Sequence, residues 1–174
     1  MLNYLKNNLT KGYRISPRKE VKTSFALILL FALIALAVGN AGNLFSFQIV
    51  DGKTACIALF SLFLFPALLE ESFFRGLIIP LNTRQRGKQT ILLFTLLSAT
   101  LFTLWHPLNA LTINPGAQVF FCDPYFLVIV FCLGMACSLS YISSQSLWVP
   151  IIIHWLTVVI WVLFLGGRNL LLQG

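Results

Sequence analysis

Leu69-Glu70-Glu71-Ser72-Phe73-Phe74-Arg75 sets three charged side chains inside an apolar run that reads from about Thr54 to Pro80. Charges in such a run are costly against lipid, so where they persist they face a protein interior or a water-filled cavity. The rest of the chain reads as a set of helices that bury this stretch. They also bring up to it the two histidines of the sequence, His106 and His154.

Of the 174 residues, 58% are hydrophobic and 10% charged, against about 45–50% and 25% in ordinary soluble domains. The length suits one domain, and several apolar runs come close to bilayer-spanning length. The expectation is an all-α, polytopic integral membrane protein, with about five to six transmembrane helices around a polar cavity. Residues 1–22 read as a basic cytoplasmic arm and 23–174 as a single transmembrane domain.

The net charge of +7 is concentrated in two places. Lys6, Lys11, Arg14, Arg18, Lys19 and Lys22 precede the first apolar run, and Arg84, Arg86 and Lys88 share one loop. Clusters of this kind lie beside anionic lipid heads on the cytoplasmic face. They predict a cytoplasmic N-terminus and a lipid-bilayer partner, and they make a nucleic-acid partner a poor explanation. A basic start, an apolar stretch and Ala37-Val38-Gly39-Asn40-Ala41 also resemble a signal peptide, but the polytopic remainder favours a retained first span. The cysteines, Cys56, Cys122, Cys132 and Cys137, form no CxxC and read as small packing residues.

Taken in order, the spans are predicted over residues 21–39, 54–80, 90–106, 124–141 and 147–165. Pro66 is expected to bend the second span one turn before Glu70, and Pro107 to kink or end the third. Gly134 and Ser138 form a small-xxx-small pair suited to close helix packing. Trp148 and Trp161 are placed as interface anchors of the fifth span. One conflict arises from counting at 1.5 Å per residue. His154 sits about 10 Å into its span, while His106 comes out near the opposite face if its helix is straight and starts at Thr90. A late start, a strong tilt or a preceding interfacial segment is needed to bring them together. No repeat pairs broken helices, which argues against a proton-coupled carrier.

Glu70 and Glu71 point about 100° apart on a helix and cannot face one target. Arg75 stands four residues after Glu71, the spacing at which a carboxylate and a guanidinium meet. That pairing leaves Glu70 directed elsewhere. A plainer reading keeps both glutamates in a polar network between helices. With two imidazoles, Glu70 suits an activated water: the carboxylate takes a proton, one histidine orients the water and the other serves the oxyanion. The same three residues, Glu70, His106 and His154, are also the ligand types of a divalent metal such as zinc, although the His-Glu-x-x-His spacing is absent. Asn109, one turn after His106, either orients its imidazole or faces solvent beyond Pro107.

Glu70-Glu71-Ser72-Phe73-Phe74-Arg75 matches EExxxR, Phe102 to His106 matches FxxxH, and a third motif helix carries His154. The ordered set resembles the CPBP family (CAAX protease and bacteriocin-processing, or Abi) of intramembrane endopeptidases, which includes the Rce1-like prenyl-protein proteases. The resemblance covers about residues 54–165. It implies an all-helical fold with a conical cavity, and hydrolysis of a peptide bond near the membrane face in a peptide or membrane-anchored protein. It also implies roles: Glu70 activates water, Glu71 pairs with Arg75, His106 assists with the water, and His154 stabilises the oxyanion. The family's last motif is HxxxN, and here Val158 stands in place of the asparagine. Valine donates no hydrogen bond, and one missing oxyanion donor typically costs about two to three orders of magnitude in rate. A non-catalytic relative with an immunity, chaperone or scaffold role is the alternative this departure supports. Nothing in the sequence sets an oligomeric state.

Overall fold

The computed structural model describes residues 8–13, 18–47, 49–50 and 52–167. Lys6, Arg14 and the side chains of Arg18, Lys19 and Lys22 lie outside what is described. Helices account for nearly all of the described chain: α1 (residues 8–12), α2 (Arg18–Ala41), α3 (Gly52–Leu77), α4 (Lys88–Thr112), α5 (Gln118–Phe121), α6 (Pro124–Ser144) and α7 (Trp148–Phe164). Four of them, α2, α3, α4 and α6, are long and apolar enough to cross a bilayer. α7 is a shorter apolar helix of 17 residues, about 25 Å long and at the lower end of spanning length. The protein is an all-α polytopic membrane protein.

The surface confirms that reading. Phe25, Leu29, Leu30 and Leu33 on α2 are each more than half exposed, as are Leu92, Leu93 and Leu104 on α4. In water such a surface would be unstable; in lipid the outward faces need only be apolar. α6 is the central helix, with α2, α4 and α7 packed around it. It begins cleanly because the Asp123 carboxylate accepts the Phe126 N–H at 2.9 Å and Pro124 occupies the first turn. Gly134 lets α4 approach: a Cβ there would meet Ala99 Cα at 3.0 Å and Ala99 Cβ at 3.1 Å. The small pair does the close-packing job its spacing predicts.

α3 is not a uniform helix. Phe65 is extended (φ −141°, ψ 113°), and the Phe65–Pro66 peptide bond is cis. The kink falls within Phe63–Leu68; beyond it come one α-turn at Leu69–Glu71 and a wider π-helical turn over Ser72–Leu77. The expected bend at Pro66 is therefore a break, located one turn before the glutamates.

The third span differs from expectation. Pro107 does not end α4, which continues to Thr112 and closes with the Ile113 and Asn114 N–H groups on the Asn109 carbonyl. A single proline removes one N–H from the ladder. α4 packs against α6, and its turns beyond Pro107 keep their backbone hydrogen bonds.

Helix register resolves the depth conflict. Ser98 donates to the Phe74 carbonyl at 2.9 Å and Trp105 reaches Glu70, so α3 and α4 run antiparallel with residue 74 level with 98. The first turns of α4 therefore project beyond the end of α3 at Leu77, by roughly 10 Å at 1.5 Å per residue. Counted from Thr90 the projecting part is about 7.5 Å, and the depth of His106 relative to α3 is smaller by that amount.

Candidate active site

Glu71, on the α-turn of α3, is fully buried, and its Oε1 accepts from two groups. Arg75 Nη1 donates to it at 2.9 Å across one helical turn, and the His154 Nδ1–H donates at 2.8 Å from α7. The predicted Glu71–Arg75 pair is present. The second partner went unforeseen, because nothing in the sequence sets α7 against this face of α3.

Arg75 is also fully buried and is met from three sides, although its Nε has no hydrogen-bond partner among the described residues. Besides Glu71, its Nη2 donates to the Gly134 carbonyl at 3.0 Å, and its guanidinium lies over the Phe102 ring, 4.5 Å from the centroid. A buried guanidinium needs such compensation, since desolvating a charge costs several kcal/mol. The same Phe102 ring carries His106 edge-on at 5.0 Å and His154 at 5.4 Å. Both histidines of the sequence thus meet one aromatic side chain of α4.

Glu70 points to another side of α3. Its Oε1 accepts the Trp105 indole N–H at 3.1 Å, and its Oε2 is buried without a hydrogen-bond partner among the described residues. His106 donates through Nδ1 to the Phe102 carbonyl at 2.9 Å, a carbonyl being able only to accept. In the neutral ring this leaves Nε2 as a lone-pair acceptor.

Glu70, His106 and His154 line one cavity of about 430 Å³. Its other walls are overwhelmingly apolar: Ile28, Phe31 and Leu36 from α2, Phe126 and Leu133 from α6, and Leu156, Val158 and Ile160 from α7. Pro66, at the break in α3, contributes to the lining just ahead of Glu70. Glu71 and Arg75 stand behind the wall, holding His154 in place.

Val158 lines the cavity on the same helix as His154. Thr157 does as well, but its hydroxyl donates to the Ile153 carbonyl at 2.8 Å within its own helix. Asn109 is buried rather than facing solvent, because α4 continues through Pro107, and it is not part of the cavity lining. Trp105 is the residue that reading the sequence missed. Its place directly before His106, inside the Phe102–His106 motif, was the available signal.

Among the described residues no three His, Cys, Asp or Glu side chains come together in a metal-holding group. Glu70, His106 and His154 share the cavity without forming a ligand set, so no step below is routed through a metal.

Residues 52–160 match the family profile described as Rce1-like, type II CAAX prenyl endopeptidase. The match spans the break in α3, both motifs and His154. No curated protein and no solved structure matches the chain.

Proposed function

We propose, from the premise that this chain belongs to the Rce1-like family of type II CAAX prenyl endopeptidases, that it hydrolyses a peptide bond of a membrane-anchored substrate at its intramembrane cavity. The observation that carries this reading is Glu70: one oxygen is held by Trp105, the other is buried and without a partner among the described residues, and the side chain lines a 430 Å³ cavity together with His106 and His154. An unsatisfied carboxylate oxygen is costly, and water and substrate supply what it lacks.

In the proposed reaction, Glu70 Oε2 takes a proton from water while the water oxygen attacks the scissile carbonyl carbon. His106 Nε2 accepts a hydrogen bond from the water's other O–H, which stays on the oxygen, and aims the attack. The carbonyl electron pair moves onto oxygen, and His154 Nε2–H faces the oxyanion that forms. Since Nδ1–H is committed to Glu71, donation from Nε2 requires a hydrogen on each ring nitrogen. Collapse of the intermediate breaks the C–N bond, and the proton on Glu70 passes to the departing amine.

The apolar walls suit a substrate presented with a hydrophobic anchor, and the Rce1-like membership points to peptides of that kind. The basic loop at 84–88 and the basic arm support a cytoplasmic setting for the end of the bundle that carries them. A second reading is favoured by Val158: with an apolar side chain in the lining and the Thr157 hydroxyl engaged, a binding protein without turnover uses the same cavity.

The deciding measurement is cleavage by reconstituted protein of a library of membrane-anchored peptides. Wild type is expected to cleave, while Glu70→Gln and His154→Ala lose at least about 100-fold. Activity indifferent to chelator supports the water mechanism; loss on chelation with rescue by zinc replaces it with a metal one. No cleavage by wild type across the library rejects the enzyme reading in favour of the binding protein.

A further inference from the structure

Glu70 Oε1 has one hydrogen-bond partner, the Trp105 indole N–H at 3.1 Å. Trp105 is half-buried, packs against the central apolar cluster and does not line the cavity. It therefore reaches the carboxylate from behind, where substrate does not come. Its neighbour His106 leaves α4 about 100° further round and enters the cavity. Two consecutive residues of one helix thus meet the reaction centre from outside and from inside.

A lone carboxylate on a flexible side chain presents either oxygen. Here a single N–H removes that freedom. We propose that Trp105 is the positioning residue of the general base: its N–H holds Oε1, sets the plane of the carboxylate, and leaves Oε2 as the oxygen that takes the proton. The inference rests on the endopeptidase reading for its kinetic consequence and on geometry alone for the contact. An indole N–H is a donor only. Trp105 therefore cannot exchange roles with the base or accept the proton itself, and its action is confined to orientation.

Removing the N–H without removing the ring is the appropriate test, because deleting an indole packed against the core would perturb the fold. Benzothienylalanine, incorporated at position 105, keeps the bicyclic shape and lacks the donor; Trp105→Phe is the genetically simpler companion. A hydrogen bond to a charged group is worth about ten- to a hundredfold in an equilibrium or rate. Both variants are expected to lose about that much in kcat, with KM within about twofold of wild type and unchanged thermal denaturation for the isostere. A purely packing role predicts the reverse: full kcat for the isostere and a lowered Tm for Trp105→Phe. Wild-type kinetics in the isostere overturns the proposal.

A second readout needs no turnover. The indole N–H band in ultraviolet resonance Raman, taken as wild type minus Trp105→Phe, is expected to shift when Glu70→Leu removes the acceptor. No shift overturns the contact. A shift in a protein that cleaves nothing upholds the contact but removes its kinetic role, and it is then the endopeptidase reading that has failed.

Discussion

Phe102 offers no proton and no lone pair, yet the groups around Glu71 are arranged on it. The Arg75 guanidinium, the His106 and His154 rings and Phe74 all approach its faces and edges within 5.4 Å. Arg75 and Glu71, which look like chemistry in the sequence, act at second hand: they orient His154 through Nδ1. The residue that bears on turnover from the other side is Val158. One turn beyond His154 on α7, it lines the same cavity, so an amide there would face the space in which the proposed reaction forms its oxyanion. Val158→Asn is expected to raise kcat by at least about tenfold, since one oxyanion donor carries about two to three orders of magnitude. A library cleavage assay on the variant reads this directly, and an unchanged or lower kcat would show that the oxyanion is met from elsewhere.

At the scale of elements, the break in α3 and the continuity of α4 set up the site together. The extended Phe65 and Pro66 interrupt α3 just before Glu70, and both carboxylates sit on the short α-turn that follows, ahead of the π-helical Ser72–Leu77. Opposite, α4 runs on through Pro107, which keeps Phe102, Trp105 and His106 on one continuous rod. The rod is held close to α6 by Gly134, whose carbonyl also receives Arg75. Gly134→Val would push a side chain into Ala99 and Phe102, costing about 1–3 kcal/mol as overpacking does. The expected result is a lowered Tm and a loss of cleavage, both from a residue that touches no substrate. Retained stability would mean that α4 and α6 separate more easily than their packing implies. The break at Pro66 was legible because proline announces itself. The persistence of α4 was not, because it depends on a neighbour that lies far away in sequence.

Across the whole molecule, the described part of the N-terminal arm ties α3 to α7, the helices bearing Glu71 and His154. The Asn8 amide donates to the Gly76 and Ile79 carbonyls at 2.8 and 3.1 Å, and its oxygen accepts the Leu81 N–H at 3.1 Å. Four residues on, the Gly12 carbonyl accepts the Leu147 N–H and the Tyr13 carbonyl accepts the Trp148 indole N–H. Trp148, read as an interface anchor, spends its N–H on this clamp. Asn8→Ala leaves three buried or half-buried backbone groups short of a partner, at about 1–3 kcal/mol. The measurement is thermal denaturation in bilayers, where Tm is expected to fall by about 2–4 °C for each kcal/mol in a chain of this length. An unchanged Tm would mean the clamp adds nothing to the fold. The residues read in order were enough for the class of the protein, the number and rough position of its apolar helices, its basic clusters and its ordered motifs. All of these follow from local quantities, namely the cost of a charge in lipid and the periodicity of a helix. The sequence by itself also determined the Glu71–Arg75 pair, because four residues on one helix is a local distance. Only the tertiary structure decided that His154 serves Glu71, that Trp105 holds Glu70, and that both histidines share one cavity. Those contacts cross between helices, and the offset of α4 along α3 that permits them comes from packing, to which no residue's own neighbours in sequence bear witness.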